Sequence, residues 1–147
     1  MNNEITSGIK EFILGGNANF TIHQESSNGK GAVTVKYRVQ RNDNGSCWFV
    51  YTEVDNSGNT VSDGKNLKYQ GYLKKDLTFN VGNKGMVNYN KVAIGGLLWV
   101  LNHSLKLPKM VHIYHHGRCS VCGRKLTDYD SLRCGIGPTC RKKIGKF

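Results

Sequence analysis

Four of the five cysteines of this chain lie close together near its C-terminus, between residues 119 and 140. Cys119 and Cys122 form a C-x2-C pair followed by Gly123, a spacing at which a tight turn directs two thiolates to one metal ion. Cys134 and Cys140 follow after a short connector. Two thiolates from a turn and two from further along the chain complete a tetrahedral site, so the pattern predicts one structural Zn2+ ion.

The fourth ligand of this site has more than one candidate. Both cysteines of the first pair and Cys140 are expected as ligands. Cys134 is the first choice for the fourth position. Because its C-x5-C spacing is looser than C-x2-C, His115 or His116, just upstream of the first pair, are the alternatives. A closed site of this kind leaves no open position for substrate, which argues against a catalytic metal.

The clustered cysteines are interpreted as metal ligands and not as disulfides. Residues 1–4 (MNNE) lack the cationic start and apolar run of a secretory signal, so we expect a cytoplasmic protein. Cytoplasmic proteins seldom keep disulfides. Cys47 lies apart, beside Trp48, and is predicted to be a buried small apolar residue.

The residues around the cysteines resemble a family of short zinc-binding domains of unknown function, found in phage, prophage and actinobacterial proteins. The shared motif is C-x2-C-G-R-x-L-T, then a serine, then G-x-G-P-x-C, and it is carried by Cys119, Cys122, Gly123, Arg124, Leu126, Thr127, Ser131, Gly135, Gly137, Pro138 and Cys140. Residues 16–21 (GNANFT) and 48–50 (WFV) are similar to the β-rich part of longer members. Tyr129 stands where the family usually has proline, and Cys134 where it generally has no cysteine, which keeps His115 open as a ligand. The resemblance implies a phage-type protein in a bacterial host and no established activity.

Positive charge is concentrated in the same part of the chain. The formal net charge is +11, and residues 105–147 hold ten Lys and Arg but only two acidic residues. Charge this local usually faces a polyanion. The residues expected to contact nucleic acid are Arg118, Arg124, Lys125, Arg133, Arg141, Lys142, Lys143 and Lys146.

The hydrophobic pattern predicts an α+β fold in which an antiparallel sheet precedes the zinc module. About four or five strands are expected among six candidate segments, at residues 18–22, 33–40, 47–54, 69–73, 77–81 and 111–114, with a turn at 26–31 and a long loop at 55–67. One buried helix should begin at the cap Asn88 and end near Leu105. A treble-clef-like or ribbon-like zinc module should follow. The expected domains are a β-rich domain, residues 1–105, and a basic zinc-binding module, residues 106–147.

The sequence argues against an enzyme and against a membrane protein. His115 and His116 beside a zinc knuckle are reminiscent of ββα-metal nucleases, but residues 141–147 (RKKIGKF) supply no further His or Asn ligand. No apolar stretch reaches 18 residues. We therefore expect a small nucleic-acid-binding accessory protein. The alternative is a phage-encoded factor that binds a host protein and inhibits or redirects it, for example an enzyme of a defence system.

Overall fold

The alternating segments form a six-stranded sheet in the computed structural model, which describes residues 3–25, 33–53, 67–85 and 89–144. The strands are β1 (Asn17–Gln24), β2 (Val33–Arg41), β3 (Cys47–Glu53), β4 (Leu67–Lys74), β5 (Phe79–Asn80) and β6 (Val111–His115). Their order is β5-β4-β3-β2-β1-β6, and every neighbouring pair is antiparallel. The α+β class and the antiparallel sheet are thus confirmed, with six strands in place of the four or five expected. The predicted turn at 26–31 and most of the predicted loop at 55–67 lie outside the described residues.

Five helices accompany the sheet in the described part of the chain: α1 (Ile9–Ile13), α2 (Gly82–Gly85), α3 (Lys91–Asn102), α4 (Tyr129–Cys134) and α5 (Pro138–Ile144). The long helix α3 is capped by Asn90, whose side chain accepts a hydrogen bond from the Ala93 N–H at 3.0 Å. The expected cap, Asn88, lies outside the described residues. None of the described helices is long and apolar enough to cross a membrane.

Helix α3, expected as a buried helix, buries one face only, although its sequence is apolar nearly all round. Ala93, Ile94 and Leu97 are almost fully buried, whereas Val92 is 72% exposed and Trp99 39% exposed. The difference arises because the sheet covers the helix from one side.

Helices α1 and α3 pack on the same face of the sheet. The buried Tyr37 hydroxyl on β2 donates a hydrogen bond to the Ala93 carbonyl of α3 at 2.7 Å. Phe12 of α1 makes an edge-to-face contact with Phe20 of β1, with ring centroids 5.8 Å apart, and Phe20 stacks on Tyr37. Burial of side chains of this size contributes roughly 1.5–3 kcal/mol each, so this layer is a main source of stability.

The C-terminal segment shares this core. Strand β6 pairs with β1, and Cys119, Leu126 and Ile136 belong to the same buried cluster as Phe12. Backbone hydrogen bonds also join the two parts, from the Asn17 N–H to the Ser120 carbonyl and from the Thr6 N–H to the Arg133 carbonyl. The predicted boundary between residues 105 and 106 therefore precedes a strand of the sheet. Independent folding of the two parts stays a prediction.

Candidate metal centre

A short hairpin directly after β6 presents the first two cysteines. Arg118 and Lys125 form an isolated antiparallel bridge, and the Cys119 N–H donates to the Arg124 carbonyl at 2.8 Å. The Gly123 N–H donates back to the Cys119 carbonyl at 2.9 Å, and Gly123 has a φ of 80°. This left-handed conformation favours glycine, which explains the residue that follows the C-x2-C pair.

Helix α5 brings the third cysteine to this hairpin. Pro138 starts the helix, where its fixed φ and missing N–H are well tolerated, and Cys140 lies in the first turn. The Gly137 N–H, just before the helix, donates to the Cys119 sulfur at 3.3 Å. The Sγ atoms of Cys119, Cys122 and Cys140 all lie within 4.8 Å of one another.

These three side chains fit a metal ion of borderline or soft character. Two sulfurs bound at 2.3 Å to one tetrahedral ion are separated by about 3.8 Å, so the three thiols need only a small adjustment to share an ion. Cys119 and Cys140 are buried and Cys122 is exposed, which leaves a route from solvent. The structure thus shows a three-cysteine group that can hold a metal ion.

The surroundings of the group lower the pKa of one of its thiols and raise that of another. Burial raises the pKa of Cys119, but hydrogen bonds from Gly137, Cys122 and Val121 outweigh burial, and the pKa is lowered overall. The pKa of Cys140 is raised to about 11, first by burial and then by the neighbouring Cys122 and Cys119 sulfurs. Cys119 is therefore more readily ionised than Cys140, and a cation among the sulfurs would favour the thiolate form of the group.

Cys134 lies outside the three-cysteine group. It is buried at the end of α4, and its Sγ donates to the Asp130 carbonyl at 3.2 Å. A helical side chain leans back toward the preceding turn, which directs this thiol along its own helix. Arg141 approaches the same sulfur at 3.7 Å. In the structure Cys134 is thus a core residue of α4.

The two candidate histidines also lie outside the group. His115 is buried, its Nε2–H donates to the Leu132 carbonyl at 2.8 Å, and its Nδ1 accepts from the Gly117 N–H at 2.9 Å. His116 is hydrogen-bonded through Nε2 to the Thr21 hydroxyl at 2.9 Å. Both ring nitrogens of His115 are thus occupied, and within the described ranges the metal-ligating group comprises the three cysteines alone.

Most of the basic residues named from the sequence lie on the surface, and one, Arg141, is held by the protein. Those on the surface are Arg118, Arg124, Lys125, Arg133, Lys142 and Lys143, whereas Lys146 lies outside the described residues. Three of them, Arg124, Lys125 and Lys143, line the same cleft as the three cysteines. Asp128 also lines this cleft, so three cations and one carboxylate lie around the candidate metal centre and positive charge predominates there.

Arg141 differs from the other cations because its guanidinium is held by the protein. It donates to the Ser131 hydroxyl at 2.9 Å and to the Ile136 carbonyl at 3.0 Å, and it lies 3.7 Å from the Asp128 carboxylate. Burial and these partners make it a link between α4 and α5. The residue pattern gave no signal of this role, since Arg141 opens a run of exposed lysines.

Sequence reasoning also missed two backbone groups of the site. The N–H groups of Gly137 and Val121 donate to the Cys119 sulfur at 3.3 and 3.4 Å. Glycine at 137 was visible in the G-x-G-P-x-C motif, and it is the signal that could have identified one of these donors.

Comparison with known proteins identifies one match. A family of unknown function, DUF6011, matches residues 111–145, which include β6, the hairpin and α4 and α5. This range agrees with the resemblance of the cysteine-containing segment to a family of unknown function. No curated protein and no solved structure matches the chain.

Proposed function

We propose that the three-cysteine group holds one structural Zn2+ ion, and that the basic module around it binds nucleic acid in a small, non-enzymatic, phage-type accessory protein. The observation that carries this proposal is the position of Arg124, Lys125 and Lys143 in the cleft of the three cysteines. The phage-type assignment and its host cytoplasm rest on the motif resemblance described above.

Zinc is the metal that best suits this group. Three thiolates select for Zn2+ over hard cations such as Mg2+ or Ca2+. Zn2+ is not redox-active, so it does not oxidise the thiolates. A knuckle followed by a helix with a further ligand in its first turn supports the proposal of a treble-clef-like module. When bound, the ion would tie the hairpin to α5 through Cys119, Cys122 and Cys140. These three residues leave the identity of the fourth ligand unassigned.

Replacement of single cysteines tests the zinc proposal. Serine at position 119, 122 or 140 should each abolish stoichiometric zinc in the purified protein and the near-ultraviolet thiolate band of the Co2+-substituted protein. The matched variants Cys134→Ala and Cys47→Ser should keep both signals. Zinc content that survives Cys140→Ser, or that disappears in a folded Cys134→Ala protein, would refute this ligand set.

Nucleic acid is the partner that best suits the charge of the module. Lys142 and Lys143 lie exposed in the last turn of α5, where no ion pair engages them in the described part of the chain. Lysines of this kind neutralise phosphates and release counterions, which gives affinity with little sequence preference. Because the frame is rigid, little conformational entropy is lost when they bind.

Salt-dependent binding tests the nucleic-acid proposal. Labelled single- and double-stranded DNA and RNA should bind the zinc-loaded protein with affinity that falls steeply as salt rises. The double variant Lys142→Gln/Lys143→Gln should weaken binding to all sequences and reduce the slope of log K against log salt by about 1–2. Lys75→Gln/Lys84→Gln, which removes the same charge from the other end of the sheet, is the matched control.

Two results would contradict this proposal. One is the absence of binding at low salt by protein with full zinc content. The other is an equal loss of affinity in both double variants, which would indicate only a response to net charge. Absent binding would favour the alternative of a host-protein target, to be sought by pull-down from nuclease-treated host lysate.

A further inference from the structure

The face of the sheet opposite α1 and α3 carries a cluster of aromatic side chains. Phe49 and Tyr51 of β3 and Tyr69 and Tyr72 of β4 are each half-buried, and in the strand register Tyr51 lies opposite Tyr69 and Phe49 opposite Tyr72. The rings of Tyr51 and Tyr69 are 5.6 Å apart, and those of Phe49 and Tyr69 are 6.1 Å apart. We call these four residues the aromatic platform.

Positive side chains flank the aromatic platform on the next strand. Arg38 lies opposite Tyr51 in the register, and its Nε–H donates to the Asn19 side-chain oxygen at 3.0 Å, which holds the guanidinium on this face. Lys36 lies two residues away on the same side of β2. Charge and rings are thus interleaved across neighbouring strands.

A cleft of about 330 Å³ connects this face with the metal-binding module. Lys36 and Arg38 line it from the sheet, and Arg118 lines it from the hairpin that presents Cys119. Positive charge therefore continues from the aromatic platform to the basic module, a path suited to a chain of phosphates.

Glu53 supplies an independent indication of a ligand in this cleft. It is only 1% exposed, and its Oε2 atom has no hydrogen-bond partner among the described residues. A buried carboxylate oxygen without a donor costs about 1–3 kcal/mol or more. The N–H edge of a nucleobase would satisfy this oxygen, so a base is expected beside Glu53 and the phosphates beside the cationic side chains of the same cleft.

We propose that this face binds a segment of single-stranded nucleic acid, with bases stacked on the aromatic platform and phosphates along Lys36, Arg38 and Arg118. The inference rests on the proposed function and makes it specific, since it names the binding surface and single-stranded nucleic acid as the ligand. Duplexes are disfavoured here because their bases are already stacked on one another and offer no free ring faces.

The test compares single strands and duplexes on variants of the aromatic platform. Pyrimidine oligonucleotides of DNA and of RNA, and a hairpin duplex, are titrated by anisotropy into the zinc-loaded full chain. Tyr51→Leu/Tyr69→Leu should weaken single-strand binding about tenfold or more, with an unchanged salt slope, because rings and not charges are removed. Tyr89→Leu/Trp99→Leu, which removes two exposed rings outside both the aromatic platform and the basic module, should leave the affinity unchanged.

A measurement on the unaltered protein keeps the inference testable if the double variant fails to fold. Photocrosslinking with oligonucleotides that contain 5-bromouracil should attach them to peptides with Tyr51 or Tyr69. Crosslinks confined to other peptides, or a folded Tyr51→Leu/Tyr69→Leu protein with full single-strand affinity, would overturn the inference. If binding still depends on Lys142 and Lys143 in that case, the proposed function stands; if no nucleic acid binds the unaltered chain, both fail.

Discussion

At the level of single residues, His115 is engaged by the protein through both of its ring nitrogens. Its Nε2–H donates to the Leu132 carbonyl and its Nδ1 accepts from the Gly117 N–H, a pattern that only the neutral ring can satisfy. Burial lowers the pKa of His115, although the bond to Leu132 opposes this effect. The side chain thus connects the end of β6 to α4 in its neutral form.

The lowered pKa of His115 predicts a loss of stability in mild acid. The folded state holds the neutral ring, so the unfolded chain binds the proton first, from about pH 6.5 downward. The free energy of unfolding should therefore fall by up to about 1 kcal/mol between pH 7.5 and 5.5 from this residue. His115→Phe should be less stable at pH 7.5 but lose less over this interval, as measured by urea denaturation at saturating zinc.

The control for this prediction is His103→Phe, which changes an exposed histidine. It should keep the pH dependence of the unaltered protein, and any effect of pH on zinc binding is common to all three proteins. An identical acid-induced loss in the His115→Phe variant would show that this histidine does not account for it.

Residue types and spacing were enough to find the three clustered cysteines but not to show that Cys134 and the two histidines lie apart from them. Cys119 and Cys122 are joined by a local turn, so their proximity follows from the sequence alone. Cys134 lies six residues before Cys140, and its separation from the metal group depends on the direction of a thiol on α4, which spacing does not encode. The hydrogen bonds of the His115 ring depend on the packing of β6 against α4, which spacing does not encode either.

At the level of elements, two glycines on helices differ in whether the surrounding structure has room for a side chain. Gly95 lies within α3 on its exposed side, and a Cβ there would meet no atom within 4 Å. Gly135 ends α4 with a φ of 74°, and a Cβ there would overlap the Phe12 ring. Gly135 is thus required by both its backbone conformation and its packing.

We expect alanine to have opposite effects at these two positions. Gly95→Ala should stabilise the protein by up to about 1 kcal/mol, because alanine is the better helix former in an open position. Gly135→Ala should destabilise it by more than about 2 kcal/mol, since the left-handed φ and the Phe12 overlap both oppose a Cβ. Denaturant midpoints of the two single variants measure both effects, and a stabilising Gly135→Ala would contradict the packing of α1 against α4.

The elements that alternation could identify are those with one buried face. Val35, Tyr37 and Val39 alternate with polar residues, and β2 was predicted within a residue of its bounds. The order of the strands could not be read in the same way, because the pairing of β6 with β1 joins segments far apart in the chain. The amphipathic character of α3 was hidden by apolar residues such as Val92 on its exposed side.

At the level of the whole molecule, the metal-binding module and the sheet behave as parts of one core. Gly135 lies against Phe12, and Ile113 of β6 is buried beside residues of β1. Residues 1–105 alone would lack β6 and the buried Cys119, Leu126 and Ile136, and Phe12 would lose its contacts with His115 and Gly135. The two domains expected from charge and cysteines thus share buried residues in the structure, and whether they fold independently stays a prediction.

Truncation after residue 105 should therefore abolish cooperative folding. The fragment 1–105 is expected to unfold without a sigmoidal transition in urea and to bind a dye specific for exposed apolar surface, because several buried side chains worth roughly 1.5–3 kcal/mol each lose their partners. The matched control is the full chain with Cys140→Ser, which disables the metal site but keeps β6 and Ile113. That variant should retain a sigmoidal transition at a lower midpoint. A fragment that unfolds cooperatively would instead show that the sheet is stable without β6, and the metal-binding module would then be an independent unit docked on it.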